Sequence, residues 1–303
     1  MSYYGGQIKM SSPLIAIVGS TATGKSEMAF HLAKRLDAEI VSADSWLVRR
    51  GLDIGTAKPS PSMLREIPHH LIDIIEPDQD FSAAEYKKLA LKSIDGIQSL
   101  GRLPLLVGGT GLYIDAILYD FSFLPASEPK ERQRLNNLSL SDLHSLAIAQ
   151  RLDLSQIDMR NKRRVIRFIE SEGKMATKGN LRPDTLIIGI RSEPDVLREK
   201  IKERVELMMS LGLENEVKRL SERYGWQCEA LKGIGYSEWE LYFKKRQSLE
   251  TTRARIIKDT IALARRQQTW FKRNKSIHWF TTPVNIADVD ALITTFLNNF
   301  IFE

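Results

Sequence analysis

Gly19-Ser20-Thr21-Ala22-Thr23-Gly24-Lys25-Ser26 follows the apolar run Leu14-Ile-Ala-Ile-Val18 and precedes Met28, Ala29, Leu32, Ala33 and Leu36 at helical spacing. The octapeptide fits G-x-x-x-x-G-K-[ST], a loop whose backbone cradles phosphates. A short apolar run before it predicts a buried parallel strand, and the periodicity after it predicts a helix. A helix N-terminus offers unpaired N–H groups and a positive dipole end. Lys25 adds a point charge, and the Ser26 hydroxyl can reach a magnesium ion. The alternative is a Gly-rich turn that binds nothing. The loop specifies a diphosphate or polyphosphate and leaves its carrier open.

The chain has 303 residues, room for one large domain or for a core with an inserted piece. Its composition, 43% hydrophobic and 27% charged, is that of a globular protein. No apolar run is long enough to span a bilayer, so no membrane is expected. Met1 to Ser12 is polar and lacks the apolar stretch of a signal peptide. A single cysteine, Cys228, excludes an intrachain disulfide and a cysteine-based zinc cluster, and fits a reducing, cytoplasmic compartment. The net charge of +6 suits a polyanionic partner.

Farther along, Glu39-Ile-Val-Ser42 predicts a second strand ending at Ala43-Asp44-Ser45. Ligands of open parallel sheets sit at the carboxyl ends of strands. Asp44 is therefore either a free carboxylate beside the phosphate loop or an N-cap of the next segment. Residues 51 to 82 show few helical periods and are expected to form a long functional loop. His69 and His70 are adjacent and cannot both face one metal from regular structure; one is expected to be packed and hydrogen-bonded. Ser82 with Glu85 marks a capped helix to Leu100. Leu103 to Val107 predicts a strand that runs into Gly108-Gly109-Thr110-Gly111. Pro125, Pro129 and a polar stretch near 136 to 145 mark a boundary. Arg160, Lys162, Arg163, Arg164 and Arg167 follow on a helix whose apolar face is Val165, Ile166, Phe168 and Ile169; the plain alternative is a solvated face. Thr185 to Ile190 predicts a core strand, Asp195 to Leu220 a helical stretch, Gly225 to Gly235 a loop. Thr251 to Arg273 predicts a long basic helix, and Trp270, Phe271 and Trp279 interleave with the basic residues, a mix suited to phosphate contact and base stacking. Ile277 to Phe280 predicts a last strand.

Together these motifs resemble the tRNA dimethylallyltransferases, also called isopentenyl-diphosphate:tRNA transferases. The matching pieces are GSTATGKS at 19 to 26, SADS at 42 to 45, RGLDIGTAKP at 50 to 59 and PHHLIDI at 68 to 74. They continue with GRLPLLVGGTGLY at 101 to 113, KRRVIR at 162 to 167, GIGYSE at 233 to 238 and RRQQTWF at 265 to 271. The resemblance implies an α/β fold: a P-loop NTPase-like core with a parallel sheet flanked by helices, plus a mainly helical tRNA-binding insertion. The core would occupy 1–120 and 185–303, the insertion 121–184. The activity implied is transfer of a dimethylallyl group from dimethylallyl diphosphate to N6 of the adenosine just 3′ of the anticodon, with Mg2+ as cofactor. The partners implied are the tRNA anticodon stem-loop and dimethylallyl diphosphate, met by a monomer.

The same resemblance assigns roles. Residues 19 to 26 grip the donor diphosphate, with Ser26 on the metal. Asp44 accepts the adenine amino proton, and Thr110 lies near the reacting centre. The tRNA-contacting set is Asp44, Ser45, Trp46, Leu47, Thr110, Arg132, Arg163, Arg164, Arg167, Lys232, Gly233, Gly235, Tyr236, Arg265, Arg266, Gln267 and Trp270. The chain departs from the family pattern in places: Leu47 and Arg49 stand where Gln and Tyr are usual, Ser237 where a Lys or Arg is usual, and the insertion, about 121 to 184, is shorter and less typical.

The chemistry demanded is specific. An allylic diphosphate ionises readily, so the barrier lies in leaving-group departure and capture by a poor aromatic amine. Cations and amides stabilise the leaving charge, a carboxylate takes the proton, and water must be excluded. The adenine must leave its stack to enter such a site. Two other classes share parts of this pattern. A small-molecule kinase has the same loop and strand-end Asp, but not a basic, Trp-containing C-terminal helix. An ATPase-like nucleic-acid-binding module would end a second apolar strand in Asp, whereas Leu103 to Val107 ends in Gly108-Gly109.

Overall fold

Leu14–Gly19, β1, is buried at every position, as a strand covered on both faces must be. In the computed structural model, which describes residues 13–125 and 128–300, β1 lies inside a six-stranded sheet. Helix α1 (Lys25–Leu36) follows, then β2 (Ala38–Ser42), α2 (Pro61–Glu66), β3 (His69–His70), α3 (Ala83–Ser99), β4 (Leu103–Gly108) and α4 (Gly111–Leu118). Three helices come next: α5 (Pro129–Asn137), α6 (Leu140–Ala149) and α7 (Lys162–Glu170). The chain continues through β5 (Thr185–Arg191), α8 (Pro194–Ser210), α9 (Leu213–Tyr224), α10 (Glu240–Phe243), α11 (Leu249–Lys272), β6 (Ile277–Thr281) and α12 (Ile286–Asn298).

The strand order is β3-β2-β4-β1-β5-β6, and every pair is parallel. Ile17 registers with Val107 on one side and Ile188 on the other. Because β2, β4 and β1 are neighbours, the segments leaving their carboxyl ends emerge side by side: Ala43-Asp44, Gly109-Thr110 and the loop at 19–24. The α/β class and the four expected core strands are as the sequence indicates. One core packs α1 and α12 against the sheet through Ile15, Ile17, Met28, Leu32, Leu105, Ile188 and Ile293. A second gathers Leu52, Val205, Val217, Tyr236, Trp239 and Ile256.

Two compact units are present: one takes in the chain up to Leu118 and again from Leu181, and the other is Tyr119–Asn180. The smaller unit has its own core of Leu135, Leu143, Ala147, Val165, Ile166 and Phe168. Among the described residues no helix is long and apolar enough to cross a membrane. Met1–Ser12, the polar lead-in, lies outside the described residues.

Three segments differ from expectation. Residues 51–82 hold α2, begun by Ser60 as cap and Pro61 in the first turn, and the two-residue β3. A strand that short has no alternation to detect. The polar stretch near 136–145 starts a helix instead of marking a boundary, with Ser139 and Asp142 forming a capping box for α6. The single helical pattern from Asp195 breaks at Gly212, whose φ of +93° is left-handed and ends α8 before α9 begins. Leu207 and Leu211, expected on the apolar face, are 58% and 62% exposed.

Candidate active site

Helix α1 starts at Gly24, whose φ of +86° is the left-handed conformation that glycine tolerates and that turns the loop into the helix. No side chain caps this terminus, so its first amides remain available to an anion. Lys25 is buried, 9% exposed, and its Nζ donates to the Ser20 carbonyl. Burial, then the nearby Arg204 charge, pushes the Lys25 pKa down to about 7, with Asp44 acting in the opposite direction. Ser26 is exposed to the cleft and makes no side-chain hydrogen bond among the described residues.

Asp44 follows β2. Its Oδ1 accepts from the Trp46 backbone N at 2.9 Å, so the capping geometry is present. Oδ2 has no hydrogen bond among the described residues, and Asp44 lines the same cleft as Lys25. Both sequence readings of Asp44 are thus compatible: one oxygen holds the turn while the other stays available. Thr110 braces the turn. Its N donates to the Ala43 carbonyl at 3.1 Å, and its Oγ1 accepts from Ser45 N at 3.1 Å.

The cleft over α1 has a volume of about 260 Å³, and Thr21, Lys25, Asp44, Thr56, Arg204 and Gln267 contribute to its walls. A second cleft, about 300 Å³, shares Thr21, Asp44, Thr56, Arg204 and Gln267 with the first. Its remaining walls include Trp46, Met208, Leu263, Lys232 and Arg266. The shared walls make the two clefts neighbours, the first lined by Lys25 and the start of α1, the second also by apolar Met208, Ile256 and Leu263 with Lys232 and Arg266.

Arg204 is the residue that sequence reading missed. It sits on α8, donates from Nη2 to the Thr56 carbonyl at 3.2 Å, and makes no ion pair among the described residues. Burial lowers its pKa, and Asp44 opposes that shift. A guanidinium held in a cleft without a carboxylate partner is prepared for an anionic ligand. In Arg198-Glu-Lys-Ile-Lys-Glu-Arg204 it looks like any other surface cation; only the seating of α8 marks it.

Several residues expected to touch nucleic acid have partners within the chain. Tyr236 is 1% exposed, and its hydroxyl donates to Glu216 at 2.8 Å. Gln267 accepts from Thr21 N at 2.8 Å and donates to the Gly109 carbonyl at 3.0 Å, clamping the phosphate loop to the Gly109 turn. Trp270 packs on Gly111 and Trp46 on Gly233, each where a Cβ would collide with the indole. Gly235 is buried. Arg132 and Arg167 both pair with Glu170, whose side chain is fully buried; the Arg132 pair ties α5 to α7, and the Arg167 pair lies within α7. Leu47 lines the first cleft. Arg163 and Arg164 lie exposed on α7, and Arg265 and Arg266 on α11. Lys232 lines the second cleft and pairs with Glu229 at 3.1 Å. Arg49, unusual for its place, is buried and donates to the carbonyls of Pro77 and Gln79 at 2.8 Å each. His69 and His70 are both hydrogen-bonded, to the Ile67 carbonyl and to Glu39.

Comparison with known proteins decides the family. Residues 47–274 match the model of the IPP transferase family. The tRNA dimethylallyltransferase of Moorella thermoacetica is 40% identical, over 96% of this chain and 97% of its own length. The chain belongs to the tRNA dimethylallyltransferase family. A second member, from Bacillus subtilis, is 38% identical over 90% of this chain and 93% of its own. The solved tRNA isopentenylpyrophosphate transferase of Bacillus halodurans superposes with a TM-score of 0.75 at 36% identity, covering 96% of this chain and 98% of that one. Family membership sets the kinase and ATPase readings aside.

Proposed function

We propose that the chain transfers a dimethylallyl group from dimethylallyl diphosphate to N6 of the adenosine just 3′ of a tRNA anticodon, releasing diphosphate. The observation that carries this reading is one cleft lined by Lys25, Arg204, the uncapped start of α1 and Asp44 together. The donor diphosphate lies against those cations and amides. As the C1–O bond of the donor breaks, its electron pair leaves with the diphosphate, where preorganised positive groups stabilise the growing charge. The adenine N6 lone pair forms the new bond to C1, and Asp44 takes the N6 proton. The acceptor reaches C1 through the second cleft, whose apolar walls Met208, Ile256 and Leu263 keep water from the allylic cation.

A magnesium ion fits this site. The Ser26 hydroxyl is a hard oxygen donor left unbonded at the helix terminus, and Mg2+ commonly takes one or two protein oxygens with substrate phosphates and water. Ser26 would hold it, and the ion would neutralise diphosphate charge. Exposed Arg163, Arg164, Arg265 and Arg266 would meet the tRNA backbone.

The test is Asp44→Asn. Asn retains the cap to Trp46 N and the volume of the side chain, so folding and donor binding should persist. Single-turnover transfer to saturating tRNA should fall roughly a hundredfold or more, the scale of a positioned proton acceptor. Near-wild-type transfer by a well-folded variant would remove Asp44 from the reaction.

A further inference from the structure

Glu216 is a carboxylate on α9, 3% exposed, with no cation beside it among the described residues. Its charge is met by neutral donors instead. Oε2 accepts from Asp53 N at 3.0 Å and Ile54 N at 2.8 Å; Oε1 accepts from Gly55 N at 3.0 Å and from Tyr236 Oη at 2.8 Å. These amides belong to the turn that runs directly into the cleft wall, Thr56 and Ala57. The turn is tight: Ala57 has φ of +50°, and its N donates back to the Ile54 carbonyl at 2.9 Å. Lys58 fastens the far side to Asp53 and Asp73 at 2.6 and 2.5 Å. The carbonyl at the apex, Thr56 O, is the acceptor that orients Arg204.

We infer that Glu216 is a positioning residue for the transfer reaction, its buried carboxylate fixing the Asp53–Gly55 turn so that Thr56 aims Arg204 into the diphosphate cleft. A carboxylate accepting several amide hydrogen bonds holds a loop harder than neutral acceptors do, and removing it strips three N–H donors of the turn of their acceptor. A strut serving only α9 would need none of these contacts with the turn. The inference rests on the reading that Arg204 binds the donor diphosphate.

The experiment compares Glu216→Gln, Arg204→Ala and the double variant in steady-state transfer, varying dimethylallyl diphosphate and tRNA separately. Gln keeps the volume but turns an NH2 group toward N–H donors. Glu216→Gln should raise the donor KM roughly tenfold, the scale of one charge-assisted contact, and leave the tRNA KM unchanged. Added to Arg204→Ala, it should cost nothing further, because it acts through Arg204. A normal donor KM in Glu216→Gln, or losses that simply multiply in the double variant, overturns the inference. An unchanged donor KM in Arg204→Ala instead overturns the role given to Arg204 and, with it, the route assigned to Glu216. If Glu216→Gln does not melt cooperatively, Tyr236→Phe takes its place. It removes one donor to the carboxylate, and the donor KM must rise with the tRNA KM constant; a normal donor KM there rejects the inference.

Discussion

A lysine with a pKa near 7 makes ligand binding a protonation event. In the free protein at pH 8, Lys25 is largely neutral, because burial and Arg204 oppose its charge. Bound diphosphate favours the ammonium form, so binding at pH 8 should take up a proton. Calorimetry with inorganic diphosphate in buffers of differing ionisation enthalpy measures this directly; a heat independent of the buffer would contradict it. The stability of the free protein carries the same signature. Its folded pKa lies below the ordinary value of 10.5, so between about 7 and 10.5 the unfolded chain binds more protons. Stability contributed by this group therefore rises with pH across that window. Lys25→Met should flatten that rise in thermal melts. Lys25 and Asp44 were both legible in the sequence, since a loop motif names one and a strand end exposes the other. Arg204 and Glu216 were not. Each lies in a helix crowded with charge, and what separates them from their neighbours is which face of α8 or α9 meets the loop at 53–57.

At the level of elements, the stretch from β1 to α1 could be read because local signals agree: a continuous apolar run, two glycines and a 3.6-residue period. The capping boxes of α3 and α6 show how far such signals reach. Both have the same Ser-x-x-acid form, yet the polar residues flanking α6 read as a boundary. The partners of α11 had no local signal, since Gln267 reaches Thr21 across 246 residues of sequence. The smaller unit offers a separate prediction. Phe168 is 4% exposed in a core of eight buried residues. Phe168→Ala should cost that unit about 3–5 kcal/mol, the usual range for a deleted buried ring. Hydrogen exchange should accelerate in α5, α6 and α7, while diphosphate binding to the larger unit stays intact. Loss of diphosphate binding would show that the two units do not unfold separately.

At the scale of the whole molecule, the net charge of +6 is a surface property that takes its meaning from the cleft. Arg164→Ala and Arg266→Ala should each raise the Michaelis constant for tRNA and reduce its salt slope by roughly one unit, as lost phosphate contacts do. An unaltered slope would return both to an ordinary solvated surface. The central claim is that one cleft joins a diphosphate leaving group to a nucleic-acid amine. Its most direct measurement is mass spectrometry of the nucleosides digested from tRNA after incubation with this protein, Mg2+ and dimethylallyl diphosphate. The expected result is an adenosine heavier by one five-carbon prenyl unit, formed by the wild type and strongly reduced with Lys25→Ala. Unmodified adenosine with the wild type, or an undiminished yield from Lys25→Ala, would contradict the account.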